Sequence, residues 1–329
     1  NKFNFSTEFS EQNISDFLLT YSSINSNEEK LVGGFEFIDD NNISIHFADK
    51  SVFQLFNYTW AIDPLSKLVW DRENLRFKNF SLTMDGQVLG MNGWLGNTSY
   101  MTFSFNKFKI NYLNPFLKNR SFLFDGILDG NVVFKPSSFP ALSGNFEVND
   151  FAFNNIVLGK LKLNNISNEK NDSIYTAGMI QDKKETMNFI AKYPLDGTKQ
   201  INADIIFNDF PIEVLDLLIR PVSNLSGLVT GNLNLGGLIT NYNISGTTFL
   251  QNVNFQIPYL GMNYSAKQHD LPVKFHNNLI SMNDFTFYDI NDNTRAVFNG
   301  KITHTGLKEM FYNFSIDTDS LYALNTSKY

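Results

Sequence analysis

The stretch Val253-Asn254-Phe255-Gln256-Ile257 alternates strictly between apolar and polar side chains. Successive side chains of an extended chain point to opposite sides, so this stretch predicts a strand with one apolar face. The same period of two recurs in Phe146-Glu147-Val148, Phe151-Ala152-Phe153, Lys160-Leu161-Lys162-Leu163 and Phe285-Thr286-Phe287. The alternation therefore predicts an all-β chain.

Short glycine dipeptides punctuate these stretches. Asp-Gly and Asn-Gly supply the positive φ angles that two-residue hairpin turns need. They occur at Asp85-Gly86, Asp125-Gly126, Asp129-Gly130, Asp196-Gly197 and Asn299-Gly300. This spacing predicts mostly antiparallel pairing between strands that follow one another in the chain.

Two stretches favour helix instead. Pro211 to Arg220 carries apolar residues at helical spacing, with a proline at its start and Pro221 after its end. We expect a short helix there that packs on the sheet as a plug. A second helix is predicted near Ser15 to Thr20.

Composition narrows the functional class. Of the 329 residues, 43% are hydrophobic, which is enough for a sizeable core, and the 33 Phe and 13 Tyr favour strands over helices. A net charge of −7 argues against binding to nucleic acid, because such binding needs clustered Lys and Arg. The chain has no cysteine, so it has neither disulfides nor thiolate chemistry.

No apolar run reaches the roughly 18 residues of a membrane helix. The chain starts at Asn1-Lys2-Phe3, without an initiating Met or a signal-peptide core. We interpret the sequence as an internal segment whose anchor or targeting signal lies outside it.

The sequence also contains an internal repeat. Gly130-Asn131-Val132-Val133-Phe134 matches Gly231-Asn232-Leu233-Asn234-Leu235, and Phe105-Asn106-Lys107-Phe108 matches Phe207-Asn208-Asp209-Phe210; a weaker copy begins at Ile316. We therefore predict segments at 1–104, 105–206 and 207–329, with Gly130 and Gly231 in tight turns. A repeat of about 100 residues is expected to hold roughly eight to ten strands. The predicted fold is an elongated, curled antiparallel sheet, a β-groove with short plug helices.

An apolar face on so many strands must be covered. A sheet that curls into a trough would shelter it, and the trough could be dry or filled by lipid. A closed β-sandwich or β-solenoid core would explain the same pattern without a ligand. The residues predicted to line the groove are Phe103, Phe105, Phe146, Val148, Phe151, Phe153, Leu161, Leu163, Ile205, Phe207, Leu233, Leu235, Val253, Phe255, Ile257, Phe285, Phe287, Phe314 and Ile316.

No constellation of residues predicts catalysis or metal binding. The four histidines lie at 46, 269, 276 and 304, and their spacing fits no zinc pattern. Asp317 and Asp319 share one side of a predicted strand, which usually marks a solvated face. Phosphate-loop, dinucleotide and Gly-x-Ser-x-Gly motifs are absent from the sequence. We predict no catalytic residues, no metal and no cofactor.

The segments Leu228 to Leu235, Asn243 to Gly246, Ile257 to Tyr264 and Ala296 to His304 together resemble the TamB family, the inner-membrane component of the translocation and assembly module, in its Bacteroidetes type. The resemblance covers roughly residues 80 to 329 and rests on glycine and apolar spacing. It implies a bridge-like protein, anchored in the inner membrane of a Gram-negative bacterium, that spans the periplasm and serves outer-membrane biogenesis.

The resemblance also implies a lipid-lined groove that conducts phospholipid between the membranes and supports assembly of outer-membrane proteins. The implied partners are phospholipid and an outer-membrane barrel protein resembling TamA or BamA. The alternative is an extracellular or cell-surface β-solenoid, an adhesion or structural array with a closed core. A detergent-requiring outer-membrane barrel and a carbohydrate-cleaving β-helix are more distant hypotheses.

Overall fold

The structure is a computed structural model. It describes residues 2–9, 14–22, 29–117, 122–135, 141–167, 173–194, 197–216, 222–238, 240–266, 268–289, 294–305 and 309–321. The described chain is all-β, and its 23 strands belong to one hydrogen-bonded antiparallel sheet. The predicted fold class is confirmed in this respect.

The first eleven strands are β1 Lys2–Phe9, β2 Ile14–Ser22, β3 Glu29–Phe37, β4 Ile43–Phe47, β5 Val52–Leu55, β6 Tyr58–Ile62, β7 Lys67–Trp70, β8 Leu75–Met84, β9 Gln87–Leu95, β10 Tyr100–Lys109 and β11 Phe124–Lys135. The next six are β12 Ala141–Phe153, β13 Ile156–Ser167, β14 Ser173–Gln181, β15 Glu185–Pro194, β16 Gln200–Pro211 and β17 Ser223–Leu238. The last six are β18 Asn241–Ile257, β19 Met262–Ser265, β20 Leu271–Asn277, β21 Leu279–Asp289, β22 Arg295–Thr305 and β23 Glu309–Ser320.

Three short 3₁₀ helices interrupt the strands: η1 Ile110–Phe116, η2 Ile212–Leu215 and η3 Pro258–Leu260. We predicted a short packed helix from Pro211 to Arg220. The structure has the helix η2 at Ile212–Leu215, and residues 217–221 lie outside the described part. Ile212 is 2% exposed, so the helix does pack as a plug. The prediction of a helix from Ser15 to Thr20 is wrong, because that stretch pairs along its length with β1 and β3 inside β2.

The chain divides into two compact units. The first comprises Asn1–Phe151 and Lys162–Asn171, and the second comprises Ala152–Leu161 and Asp172–Tyr329. The segment boundaries expected at residues 105 and 207 remain a prediction.

Five described strands, β11 to β15, lie wholly within 105–206, so the expectation of eight to ten strands per repeat was too high. The strands are up to 17 residues long, so each strand takes up more residues than the prediction assumed.

In the first unit, consecutive strands β8, β9, β10 and β11 pair side by side. Before them, the short strands β4 and β7 pair with each other, as do β5 and β6, and both β6 and β7 pair with the long strand β8. The Asp85-Gly86 turn is confirmed: it joins β8 to β9 with φ of 48° and 76°.

Three other dipeptides predicted as turns lie inside strands instead. Asp125-Gly126 and Asp129-Gly130 belong to β11, and Asn299-Gly300 belongs to β22, whereas Asp196 lies outside the described residues. Gly130 and Gly231 are likewise mid-strand, so their predicted role in tight turns is wrong. A Cβ on Gly130 would lie 2.2 Å from the carbonyl oxygen of Asn145, and one on Gly231 would lie 2.4 Å from that of Thr247. These glycines permit close approach of neighbouring backbones.

In the second unit, β14 to β18 pair in chain order. The long strand β18 then pairs with β20 through its first half and with β19 through its last residues. Both β19 and β20 pair with β21, which continues through β22 to β23. Within the described ranges, no second sheet covers either side of this one.

Atomic detail supports the sequence repeat at an offset of about 102 residues. The helix η1 follows β10 as η2 follows β16. Asn114, within η1, accepts a 3.0 Å bond through its side chain from the backbone N–H of Phe124, after the helix. After η2, Asp216 accepts a 3.1 Å bond from the backbone N–H of Leu225. The same side-chain link therefore closes the same connection twice.

Candidate functional site

Strand register places apolar side chains on one side of the sheet in the first unit. Phe103 lies directly between Met91 of β9 and Val132 of β11, and Phe105 lies between Leu89 and Gly130. Residues directly opposite one another in antiparallel strands share a face. We call this side of the sheet the apolar face, and the side that carries the alternating residues the polar face.

The second unit has an apolar face built in the same way. Ile205 lies opposite Leu233, and Ala203 lies opposite Leu235. On the next pairing, Leu235 lies opposite Ile244. The residues between them, such as Asn232 and Asn234, lie on the polar face. In these strands, apolar side chains therefore concentrate on one face, although the polar face also carries some, such as Ile206 opposite Asn232.

Six β-bulges preserve the apolar face where period-two alternation would break it; a register shift shows five of them, and the sixth, at Val148/Phe151, is assigned from the same sequence pattern and the same positive φ. At each bulge two apolar residues three positions apart enclose two polar ones, and the second polar residue has a positive φ of 49–56°. Since a bulge inserts one extra residue, the enclosing residues stay on the same face. The enclosing pairs are Phe77/Phe80, Phe105/Phe108, Val148/Phe151, Phe207/Phe210, Leu250/Val253 and Met282/Phe285.

A side chain on the polar face of the adjacent strand holds four of these bulges. The backbone N–H of Asn79 donates to Oδ1 of Asn92 at 2.8 Å, and that of Lys107 donates to Oδ1 of Asp129 at 2.9 Å. The N–H of Asp209 donates to the Thr230 hydroxyl at 3.2 Å, and the N–H of Asp284 donates to Oδ1 of Asn299 at 2.9 Å. We call each such bond a bulge latch, because it satisfies the donor that the bulge removes from the ladder.

Burial changes at the row of bulges. The apolar residue that follows each bulge is at most 9% exposed in all six cases. The apolar residue that precedes the bulge is half-buried in five of the six cases, and the exception, Val148, is buried. We call the part of the apolar face that follows each bulge along its strand the closed zone, and the part that precedes it the open zone. The open zone contains the half-buried side chains named above and also buried ones, such as Met101 and Ile244 at 2% and 5% exposure.

The closed zone of the first unit is locally concave. Trp60 on β6 and Phe108 on β10 are separated by three ladder spacings, because β6 pairs with β8, β8 with β9 and β9 with β10. Three spacings amount to about 14 Å in a flat sheet. Their ring centroids are only 6.1 Å apart, and the two side chains are 0% and 1% exposed. Side chains converge in this way on the inside of a bend.

Helix η1 fills the rest of that concavity. The Tyr112 ring lies 5.7 Å from Phe108 and 6.5 Å from Trp60. The Gln87 side-chain amide donates to the Tyr112 hydroxyl at 3.1 Å, and its carbonyl oxygen accepts the backbone N–H of Lys109 at 3.0 Å. This end of the apolar face is thus a packed, hydrogen-bonded interior.

The closed zone of the second unit contains a cluster of three rings. Phe255 and Phe287 stand on β18 and β21, two ladder spacings apart, yet their ring centroids are 5.9 Å apart. Tyr264 on the intervening β19 lies 5.5 Å from Phe255 and 5.2 Å from Phe287. Burial raises the pKa of the Tyr264 phenol, with a smaller contribution from Asp289. The face is concave here as well.

The predicted lining residues fall into three groups. Those that are half-buried are Phe103, Phe105, Phe146, Phe153, Leu161, Leu163, Ile205, Phe207, Leu233, Leu235, Phe255 and Ile257. Those that are buried are Val148, Phe151, Val253, Phe285 and Phe287. Phe314 and Ile316 on β23 are 60% and 50% exposed.

Register and neighbouring contacts place these residues within their own units. Phe146 lies beside Gly130, and the Phe151 ring stacks on Phe124 at 6.2 Å. Phe314 and Ile316 lie opposite Gly300 and Phe298 on the apolar face of the second unit.

Sequence reasoning missed the side chains that close the face. Trp60, Met101, Tyr112, Met262 and Tyr264 are among the most buried residues, and none was predicted to belong to the apolar face. A signal for the bulges was available, because two polar residues between two apolar ones recur in Phe105-Asn106-Lys107-Phe108 and Phe207-Asn208-Asp209-Phe210.

The chemistry of ionisable groups is sparse. Across the described ranges, no three His, Asp or Glu side chains converge as metal ligands would. His304 is 2% exposed, and its burial lowers the pKa of the imidazole. The Lys184 ammonium and then the Thr230 hydroxyl hold the pKa of Asp209 below its ordinary value.

In the described part of the chain, no helix is both long and apolar enough to cross a membrane. No family model, curated protein or solved structure matches the chain. The fold defines a class only: an all-β protein whose described strands form one antiparallel sheet.

Proposed function

We propose that this chain is part of a TamB-like, periplasm-spanning β-groove that conducts phospholipid between the inner and outer membranes and supports outer-membrane biogenesis. The observation that carries the proposal is the open zone of the apolar face. In the first unit, Phe103 and Phe105 present partly accessible apolar surface, and in the second unit Ile205, Leu233 and Leu235 do the same. Scattered apolar residues need no explanation, but half-buried apolar residues that are neighbours on one face of adjacent strands do.

Acyl chains are the ligand that suits such a row. Each CH₂ group moved out of water contributes about 0.8 kcal/mol, so an acyl chain gains on the order of 10 kcal/mol on an apolar surface. The gain is non-directional and needs no polar anchor on that side. The headgroup would stay in water, which explains why the open zone requires no charged residue.

The proposal includes attachment to the inner membrane and an outer-membrane barrel partner resembling TamA or BamA. These elements rest on the sequence resemblance of Ile257 to Tyr264 and Ala296 to His304, together with the single-layered sheet. Catalysis forms no part of it, since a conduit works through surface and shape.

A closed-core structural array remains the second candidate, and one observation favours it. The Trp60, Phe108 and Tyr112 cluster is a filled interior of the kind that such an array would have throughout. The two candidates differ in the open zone, which a lipid conduit leaves accessible and a closed array does not.

Lipid content of the purified chain tests the proposal. We expect phospholipid to copurify from a bacterial envelope without detergent, and Leu233→Arg to reduce the lipid-to-protein ratio several-fold, because a cation must be desolvated against acyl chains. Asn232→Arg is the matched control, since the adjacent residue lies on the polar face and is exposed. Absence of lipid, or equal loss in both variants, would contradict the proposal.

A further inference from the structure

A shallow pocket of about 410 Å³ lies in the first unit. Arg76, Lys78, Asn92 and Trp94 line it together with the bulge at Asn79. Arg76 lies directly opposite Trp94, and these residues alternate with Phe77 of the apolar face. Most of the lining residues therefore belong to the polar face; Phe77 and Gly93, which pair with each other, also line the pocket.

Two lysines beside the pocket face one another. Lys67 of β7 and Lys78 of β8 are direct cross-strand partners, and both are exposed. Like charges in directly opposite positions destabilise a sheet. Neither ammonium has an ion pair among the residues that the structure describes. The arrangement carries an electrostatic cost that an anion bound between them would relieve.

The guanidinium and the indole beside them are held in place. Arg76 donates through Nε and one Nη to Oδ2 of Asp71, at 3.1 and 2.9 Å. The Trp94 indole N–H donates to the carbonyl oxygen of Thr98, and its ring stacks on Tyr100 with centroids 5.2 Å apart. Neither side chain has to be ordered when a ligand arrives, which lowers the entropic cost of binding.

The row continues across the next two strands. The ammonium of Lys135 on β11 lies 5.3 Å from the centre of the Tyr100 ring, within cation–π distance. Two aromatic rings therefore lie between two cations over four adjacent strands, in the order Arg76, Trp94, Tyr100 and Lys135. We call this row together with Lys67 and Lys78 the basic row.

We propose that the basic row binds the phosphate of an anionic phospholipid headgroup at a membrane surface. Arg and Lys are the side chains that form charge-assisted bonds to phosphate oxygens. Trp and Tyr favour the interface between headgroups and acyl chains, where an amphipathic ring has both surroundings that it needs. The inference concerns the polar face and does not depend on lipid transport along the apolar face.

The negative net charge of the chain means that binding to an anionic membrane would require a local cluster of cations. At −7 the whole chain is repelled by an anionic membrane, so general electrostatic attraction does not produce binding. Any attraction must come from a local cluster, and the basic row places four cations, Lys67, Arg76, Lys78 and Lys135, on the polar face of the first unit.

Vesicle flotation with the 329-residue chain tests the proposal. We expect binding to vesicles of phosphatidylcholine with phosphatidylglycerol, and no binding to phosphatidylcholine alone. Lys78→Gln should weaken the apparent affinity about tenfold, the loss of one charge-assisted bond. Lys274→Gln is the matched control, because Lys274 is exposed on the polar face of the second unit, and we expect its affinity to equal that of the wild type.

Unfolding of Lys78→Gln separates binding from folding. Removal of one of two facing cations should leave the unfolding midpoint unchanged or slightly raised. No binding by the wild type, equal loss in Lys274→Gln, or binding of inorganic phosphate without binding to the anionic vesicles would each overturn the assignment. Flotation of the wild type with selective loss in Lys78→Gln would establish it.

Discussion

The backbone N–H of Lys107 donates a 2.9 Å hydrogen bond to Oδ1 of Asp129 on the adjacent strand. This bond on the polar face holds the bulge that keeps Phe105 and Phe108 together on the apolar face, where their ring centroids are 5.4 Å apart. The two faces of the sheet are thus coupled, because a polar side chain on one side fixes the apolar register on the other.

The first prediction concerns this bulge latch. Asp129→Ala should lower the free energy of unfolding by about 1 kcal/mol, because it leaves the Lys107 N–H without its acceptor. Asp129→Asn keeps the Oδ1 acceptor and should cost less. Urea unfolding followed by circular dichroism measures both variants, and equal losses would show that the carboxylate charge matters more than the bond.

The second prediction concerns the closed zone. Trp60→Ala should lower the free energy of unfolding by about 3–5 kcal/mol, because it opens a cavity against Phe108 and Tyr112. Trp70→Ala is the control, since Trp70 is 45% exposed. Comparable thermal midpoints for the two variants would contradict a packed interior at Trp60.

The third prediction compares two glycines of β17. Gly231 has φ of 131°, and a Cβ there would lie 2.4 Å from a carbonyl oxygen, whereas at Gly236 the nearest atom is 3.8 Å away. Gly231→Ala should therefore destabilise the fold by about 1–3 kcal/mol through backbone strain. Gly236→Ala should be nearly neutral, and a similar loss in both would exclude close approach as the reason for Gly231.

The fourth prediction concerns pH. Lys184 and Thr230 hold the pKa of Asp209 below its ordinary value. The carboxylate therefore stabilises the fold above the unfolded pKa of about 3.9, and this stabilisation is lost as the pH falls through the lower folded-state pKa. The effect is small because the Asp209 side chain is 35% exposed and open to screening.

Asp209→Asn should consequently lose less stability than the wild type when the pH is lowered from 6 to 3. Unfolding midpoints at four pH values and low salt would measure the difference. A variant whose midpoints fall in parallel with those of the wild type would show that Asp209 does not contribute to the acid sensitivity.

The sequence was sufficient for the fold class and for much of the apolar face. Strict alternation in Val253 to Ile257 predicts both the strand and its apolar side, because the side-chain period of a strand is two. Register bears this out where Phe255 lies opposite Tyr264 and Ile257 lies opposite Met262. The pairing of consecutive strands also follows from short local connections.

The closure of the face was not predictable from alternation. Trp60 and Phe108 are 48 positions apart in the chain and meet only because three intervening ladders bend. The mid-strand glycines were mistaken for turns, since a positive φ is needed both in a hairpin and where two backbones approach closely. Sequence spacing alone does not distinguish these two uses of glycine.

Site-specific photocrosslinking in living cells tests the central claim most directly, because it asks what touches the open zone of the apolar face. A crosslinking residue at Phe103 or Leu235 should give phospholipid adducts by mass spectrometry, and one at Asn232, on the polar face of the second unit, which does not contain the basic row, should not. Protein-only or absent adducts at Phe103 and Leu235 would contradict the conduit and favour a dry structural array.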